Sequence, residues 1–159
     1  MTRKTAIASK SSPAPYLLDV NVLIALAWPL HVHHVIAHAW FEKVGQQSWS
    51  TCPLTQLAFV RISSNAKIIS TAVSPRAAVQ ALGTMVALAG HVFWADDLEV
   101  NDLASFTSSA LVGHRQVTDA YLIELAKRHK GKVATLDVGL ADLLPPTERA
   151  KYVAFIGAA

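Results

Sequence analysis

Short apolar runs alternate with longer segments of helical periodicity along the chain, and this alternation constrains the fold more than any other feature. The apolar runs span residues 16–20, 47–51, 91–95, 132–136 and 152–156. Four or five residues bounded by turn signals are typical of a buried strand, whereas helices need longer segments. Strands that alternate with helices predict an α/β fold, with a parallel sheet covered by helices on both faces.

The segments between these runs carry start and stop signals for helices. We expect helices over residues 21–27, 31–44, 53–61, 75–89 and 118–130. Asn21, Ser74 and Thr118 are the expected N-caps of the first, fourth and last of these, because their side chains can accept hydrogen bonds from free backbone N–H groups. Pro145 and Pro146 are expected to break the chain before the last strand.

Length and composition limit the class of protein. The chain has 159 residues, of which 52% are hydrophobic and 16% charged. These values predict a single domain with its own core, which we assign to residues 16–157, and they exclude a disordered chain. The most apolar stretch, residues 22–30, is much shorter than the roughly 20 residues of a membrane-spanning helix. No association with a membrane is therefore expected.

The basic charge of the chain is concentrated at its start. The net charge is +3, and residues 1–15 contain Arg3, Lys4 and Lys10 but no acid. We expect this segment to be a flexible basic tail that ends near its prolines. Cys52 is the only cysteine, so no internal disulfide can form, which favours the reducing cytoplasm as the location.

Three aspartates are the strongest candidates for a functional site. Asp19 ends the first apolar run, Asp137 follows the fourth, and Asp119 opens the helix that leads into the fourth. In open α/β sheets, ligands bind outside the carboxyl ends of the strands. Carboxylates that meet there remain ionised together only if a cation lies between them. Oxygen ligands of this kind suit Mg²⁺ or Mn²⁺ and phosphate chemistry, although each aspartate alone could equally cap a helix or start a turn.

Three segments resemble a known family. LLDVNVLIAL, CPLTQLAFVRISSN and GHRQVTDAYLIELAKRHKGKVATLD are similar, in this order and spacing, to the PIN-domain ribonucleases and most closely to the VapC toxins of bacterial toxin–antitoxin pairs. The resemblance covers residues 16–156 approximately. It implies a three-layer fold with strand order 3-2-1-4-5 and an acidic site that uses Mg²⁺ or Mn²⁺ to hydrolyse RNA internally. The expected products carry 5′-phosphate and 3′-hydroxyl ends.

The resemblance also assigns roles to residues. Asp19, Asp119 and Asp137 match the family's first, third and fourth acids, which implies that they bind the metal. Asn21 and Thr135 match polar positions beside the site. The chain departs from the family at Gln56, where Glu is usual, so the site has lost one negative charge. We expect Gln56 to be a weak ligand or to orient the attacking water, and Asp96 or Asp97 to compensate for the lost charge. Gly139 also stands where many relatives carry a further acid.

Basic residues in or near the matching segments are candidates for RNA contacts. Arg61 and Arg115 lie within these segments, and Lys127 and Arg128 belong to a basic run between Asp119 and Asp137. They could bind RNA phosphates, although Lys and Arg are also favoured at a helix C-terminus by its dipole. The resemblance further implies a VapB-like antitoxin that occludes the acidic groove, and a toxin homodimer.

Two other kinds of function remain open. Loss of the second acid is compatible with a PIN-like module that binds RNA without cleaving it. A metal-dependent phosphatase or a receiver-like domain is disfavoured, because Asp19-Val20-Asn21 does not match the D-x-D of the phosphatases. His34 and His38 are four residues apart and could share zinc, but the glutamate of an H-E-x-x-H site is missing. We interpret these histidines as part of a solvated helix face.

Overall fold

Five parallel strands form the centre of a computed structural model that describes residues 14–103 and 110–157. The basic tail expected over residues 1–15 lies outside this part, apart from its last two residues. The strands follow one another in the sheet as β3-β2-β1-β4-β5. This order confirms the predicted fold class and topology. The strands are β1 (Tyr16–Leu18), β2 (Trp49–Thr51), β3 (His91–Phe93), β4 (Lys132–Thr135) and β5 (Val153–Phe155).

Helices connect the strands and cover the sheet. The described residues form α1 (Val20–Ala27), α2 (His34–Lys43), α3 (Pro53–Ser63), α4 (Pro75–Val86), α5 (Val117–Arg128) and α6 (Pro146–Tyr152). α6 was not expected, since Pro145 and Pro146 were interpreted as breaking the chain. Pro146 instead occupies the first helical position, where the missing N–H has no intrahelical partner to lose.

Ser74 caps α4 as expected, since its hydroxyl accepts a hydrogen bond from the Ala77 N–H at 3.2 Å, but the other two expected N-caps are wrong. The residue that caps α1 is Asp19, whose carboxylate accepts a hydrogen bond from the Val20 N–H at 2.6 Å. Thr118 lies inside the first turn of α5, because a 3-10 turn over His114–Gln116 leads directly into that helix. The carboxamide oxygen of Gln116 accepts hydrogen bonds from the N–H groups of Val112 and Gly113 and so fixes the approach to the helix.

Two apolar clusters lie on opposite faces of the sheet. Side chains of a strand alternate between faces, so Leu17 packs into one cluster and its neighbour Leu18 into the other. The Leu17 cluster is formed largely by α5 and the chain that follows β4. The Leu18 cluster is formed by α1 to α4 and includes the fully buried Phe59 and Trp49. The result is the predicted arrangement of helix, sheet and helix.

The topology positions the functional side chains. β1 pairs with β4 in parallel, with Leu18 opposite Ala134, so the residues that follow these two strands emerge side by side. A hydrogen bond from the Asp19 N–H to the Ala134 carbonyl extends this pairing to the acid itself. In the part of the chain that the structure describes, no helix is long and apolar enough to cross a membrane.

Gly90 allows the close approach of two segments just before β3. Its φ of +83° is unfavourable for other residues, and a Cβ there would clash with the Gln46 carbonyl oxygen.

We expect Gly90→Ala to lower the free energy of unfolding by about 1–3 kcal/mol, since it adds both strain and a clash with backbone. Gly83→Ala is the matched control, because Gly83 lies inside α4 and a methyl group added there would meet no neighbouring atom within 4 Å. It should stabilise the protein by about 0.5–1 kcal/mol. Urea denaturation of both variants tests this, and equal stability of the two would contradict it.

Candidate active site

Asp19 is the buried centre of the acidic site. Only 6% of its surface is exposed, and the sheet edge and the start of α1 enclose it. Its Oδ2 accepts two hydrogen bonds, from Asn21 Nδ2 and Thr135 Oγ1, both at 2.8 Å. Its Oδ1 accepts one, from the Val20 N–H. Since each carboxylate oxygen offers about two acceptor positions, Oδ1 is the atom with capacity for a further ligand.

Thr135 and Asn21 hold this carboxylate in place. The Thr135 hydroxyl is fully buried, and it accepts hydrogen bonds from Asn21 Nδ2 at 3.1 Å and from the Asp137 N–H at 3.0 Å. Asn21 Oδ1 in turn accepts from the Leu136 N–H at 3.1 Å. These bonds join the end of β1 to the end of β4. The structure therefore places Asn21 and Thr135, the two polar residues expected beside the site, in direct contact with Asp19.

Asp119 and Asp137 complete the acidic group. Burial, together with the charges of Asp19 and Asp137, raises the pKa of Asp119 to about 6. Burial is also the main cause of the raised pKa of Asp19, to which the charge of Asp137 adds. Asp137 is exposed, and its Oδ1 caps the following 3-10 turn by accepting from the Gly139 N–H at 2.8 Å. The three predicted acids thus lie within electrostatic range of one another.

The donors fit a hydrated divalent cation better than a tightly enclosed one. No three His, Cys, Asp or Glu side chains among the described residues form a ready-made metal cluster. Mg²⁺ needs no such cluster, because it keeps several of its waters and binds through one or two carboxylates. Oδ1 of Asp19 and the carboxylate of Asp119 supply such a pair of hard oxygen ligands, and a cation beside them would relieve their mutual repulsion.

The amide nitrogen of Gln56 is bound by a side chain of β2 and not by one of the three acids. Its Nε2 donates to the Thr51 hydroxyl at 2.9 Å, and that hydroxyl lies 2.8 Å from Nε2 of His91. Gln56 also lines a cavity between α3, α4 and β3. The sequence analysis missed Thr51 in β2 and His91 in β3. Nothing in the pattern of either strand indicates that its side chain belongs to a chain of hydrogen bonds that reaches α3.

Asp96 and Asp97 do not join the acidic group. Asp96 interacts with the Cys52 thiol and the Leu54 N–H at the start of α3, and burial raises its pKa. Asp97 forms an ion pair with Arg128 at 2.9 Å. Neither aspartate contributes to the charges that raise the pKa of Asp19 or Asp119. Their contacts are with the start of α3 and with Arg128, so the structure gives no support to the idea that they compensate for the missing acid.

The four basic candidates fall into two groups. Lys127 and Arg128 end α5, about nine residues or 13 Å along the helix from Asp119. Because of this separation they do not flank the acidic site. Both are also paired with acids, Lys127 with Glu124 at 3.1 Å and Arg128 with Asp97. Arg115 is exposed in the 3-10 turn just before α5, and Arg61 is exposed in the last turn of α3. Arg115 is thus the candidate RNA-binding residue that lies at the same end of α5 as Asp119.

His34 and His38 serve neither of the roles considered for them. Their rings lie 4.3 Å apart on α2, and each contacts a carbonyl oxygen at the end of α1. His34 Nδ1 lies 2.7 Å from the Ala25 oxygen and His38 Nε2 lies 3.0 Å from the Leu26 oxygen. Both rings are half-buried, so the interpretation as a solvated face is wrong. They satisfy carbonyl groups that the last turn of a helix leaves without partners.

Comparison with known proteins gives relatives that are named VapC ribonucleases. The chain is 46% identical to Ribonuclease VapC39 of Mycobacterium tuberculosis over 126 residues, which cover 79% of this chain and 91% of the relative. It is 42% identical to Ribonuclease VapC38 of the same organism over 127 residues, 80% and 88% of the two chains. Ribonuclease VapC44 matches at 36% identity over 138 residues, 87% and 96% of the chains. No family model matches.

A solved structure supports the fold independently. The crystal structure of PAE2754 from Pyrobaculum aerophilum matches with a TM-score of 0.55 at 15% identity, and covers 96% of this chain and 92% of that protein. The sheet order and the acidic edge define a PIN-domain protein. Its sequence relatives narrow the class further, and the chain belongs to the VapC ribonuclease family.

The raised pKa of Asp119 predicts how stability depends on pH. In the native state this carboxyl keeps its proton up to about pH 6, whereas in the unfolded chain it loses it near its ordinary value of 3.8. In a buffer without divalent cations, the free energy of unfolding should fall as the pH rises through this interval and then level off. Asp119→Asn should make the fall smaller and raise the melting temperature at neutral pH.

The control for this prediction is Asp142→Asn, which changes an exposed carboxyl that is ion-paired with Arg149. It should keep the full dependence on pH. Calorimetry of the three proteins between pH 4 and pH 8 measures the effect. A wild-type curve that is flat over this interval, or unchanged by Asp119→Asn, would show that Asp119 titrates normally.

Proposed function

We propose that this chain is a Mg²⁺- or Mn²⁺-dependent endoribonuclease and the toxin of a type II toxin–antitoxin pair, and that it inhibits translation or growth by cutting RNA. The observation that carries the proposal is the group of Asp19, Asp119 and Asp137 at one sheet edge, where burial and the charges of the other two raise the pKa of Asp119. Membership of a family whose relatives are called ribonucleases supports RNA as the substrate.

Each residue of the site has a role derived from its surroundings. Asp19 Oδ1 and the Asp119 carboxylate would hold the cation, and Asp137 would bind it directly or through water. A cation held there would supply an activated water for attack on phosphorus, and the expected products carry 5′-phosphate and 3′-hydroxyl ends. Thr135 and Asn21 keep Oδ2 of Asp19 occupied, so that this carboxylate presents one defined oxygen. Arg115 binds RNA phosphate on approach to the acids.

The surface also supports a protein partner. Leu57, Val79 and Phe93 are between 52% and 67% exposed and line the cavity beside Gln56, which has a volume of about 370 Å³. Apolar surface of this kind is typical of interaction sites. We propose that it contributes to binding a VapB-like antitoxin, which would place the partner next to the acidic edge. A homodimer stays a prediction of the family resemblance.

Cleavage and cation binding can be tested on the same variant. We expect Asp119→Asn to lower the rate of Mg²⁺-dependent cleavage of end-labelled tRNA or ribosomal RNA at least about 100-fold, because it removes a ligand of the ion that stabilises the developing charge. Mg²⁺ should raise the melting temperature of the wild type but not of Asp119→Asn. Asp142→Asn should behave as the wild type in both measurements.

The outcomes separate two functions. Discrete fragments that require both the metal and Asp119 establish the nuclease. RNA binding without cleavage, in Mg²⁺ and in Mn²⁺ and unaffected by Asp119→Asn, would instead establish a PIN-like RNA-binding module. Cleavage that persists in Asp119→Asn would remove this residue from the machinery.

A further inference from the structure

A chain of hydrogen bonds runs from α3 to the edge strand β3. Gln56 Nε2 donates to Thr51 Oγ1 at 2.9 Å, and the same oxygen lies 2.8 Å from His91 Nε2. Thr51 is completely buried, and His91 packs against the buried Trp49 with 4.6 Å between the ring centres. Thr51, the partner of the Gln56 amide, and His91, the partner of Thr51, therefore both belong to the sheet.

The direction of these bonds follows from the chemistry of the hydroxyl. A threonine hydroxyl has a single proton to donate. Its oxygen accepts from Gln56 and its other contact is His91 Nε2, so the buried hydroxyl is fully paired when it donates its proton to His91, with Nε2 as the unprotonated acceptor. Burial lowers the pKa of His91, which keeps the ring neutral, as this role requires. In this arrangement His91 carries its proton on Nδ1.

The direction matters because an amide has two unlike ends. Position 56 lies in the first turns of α3, at the sheet edge where β2 ends, and β2 is the direct neighbour of β1. Register places Thr51 level with Leu18, one residue before Asp19. At such an edge, Oε1 can attract a cation or a water proton as the oxygen of a glutamate would, whereas the N–H₂ group would repel a cation.

We propose that Thr51 and His91 are positioning residues: Thr51 binds the nitrogen end of the Gln56 amide, His91 fixes the direction of the Thr51 hydroxyl, and the amide oxygen is thereby kept available to the acidic site. This inference rests on the proposed function, because the oxygen matters only if a cation and its water are used there. It accounts for glutamine at a position where the family resemblance implies glutamate. The two residues do not touch substrate or metal, and they act through Gln56 alone.

A substitution at position 56 should reverse the chain of hydrogen bonds. A glutamate at this position can only accept, so in Gln56→Glu the Thr51 hydroxyl must donate to it. The Thr51 oxygen then accepts from His91, whose proton moves to Nε2. The amide and the carboxylate therefore demand opposite tautomers of the same histidine.

Nuclear magnetic resonance tests this directly and without RNA. Long-range ¹H–¹⁵N spectra of the full chain distinguish the two tautomers of His91. We expect Nδ1–H in the wild type and Nε2–H, or a doubly protonated ring, in Gln56→Glu. An Nε2–H tautomer in the wild type overturns the proposal, because the amide oxygen would then face Thr51. An unchanged tautomer in Gln56→Glu overturns it as well.

Cleavage assays test whether the positioning has a consequence. His91→Phe keeps a ring beside Trp49 but removes the acceptor, so the amide is free to turn. We expect the Mg²⁺ concentration for half-maximal cleavage to rise about fivefold, the equivalent of one lost hydrogen bond. His91→Gln can still accept from Thr51 and should restore most of the difference. His129→Phe, at a ring that stacks on Trp94 away from these residues, is the matched control.

The two experiments fail in distinguishable ways. If the wild type cleaves RNA and His91→Phe has the same Mg²⁺ requirement, Thr51 and His91 do not position Gln56 for the reaction and the proposal is overturned. If the wild type cleaves no RNA, the proposed function fails and the positioning role fails with it. The tautomer of His91 still shows in that case whether the direction of the hydrogen bonds was inferred correctly.

Discussion

A buried carboxylate must be fully hydrogen-bonded, and in this protein that requirement falls on Asp19. Its two oxygens receive a backbone N–H from the start of α1, an amide N–H from Asn21 and a hydroxyl from Thr135 at the end of β4. An unmatched charge in this position would cost several kcal/mol. The same bonds that make burial of Asp19 tolerable also fix the orientation of α1 and the junction of β1 with β4. The hydrogen bonds that form when β1, α1 and β4 come together are therefore also the bonds that position Asp19 in the acidic site.

Much of this arrangement could be predicted because it depends on patterns of local sequence. Strand-length apolar runs that alternate with helical periodicity were sufficient for the α/β class, and the positions of Asp19 and Asp137 followed from the rule that parallel strands end at one edge. The sheet order came from the family resemblance. The N-caps of α1 and α5 were predicted wrongly, because Asp19 and Gln116 compete with Asn21 and Thr118 and the outcome depends on tertiary contacts. Pro146 illustrates a similar ambiguity, since proline both stops and starts helices.

Partners distant in sequence could be predicted only where the ends of parallel strands bring them together. Asp96 and Asp97 were suitable in charge and in their place after a strand, but the chain beyond β3 directs them to the start of α3 and to Arg128. The Thr51 hydroxyl that binds the Gln56 amide nitrogen was not predicted. In each case the residue type indicated which chemistry the side chain can perform, but not which way the side chain points. The direction of a side chain depends on which helix or strand packs against it. That packing could not be predicted from the sequence alone.

The ion pairs at the end of α5 have a consequence for how this protein responds to ionic strength. Nucleic-acid affinity is usually steep in salt because each lysine or arginine that meets a phosphate releases a condensed counterion. Lys127 and Arg128 already have carboxylate partners, so contact with phosphate there would exchange one anion for another instead of adding a new pair. Most of the net counterion release would then come from exposed arginines such as Arg115. For RNA bound as proposed, the paired residues of this helix would therefore add little to the salt dependence of the affinity.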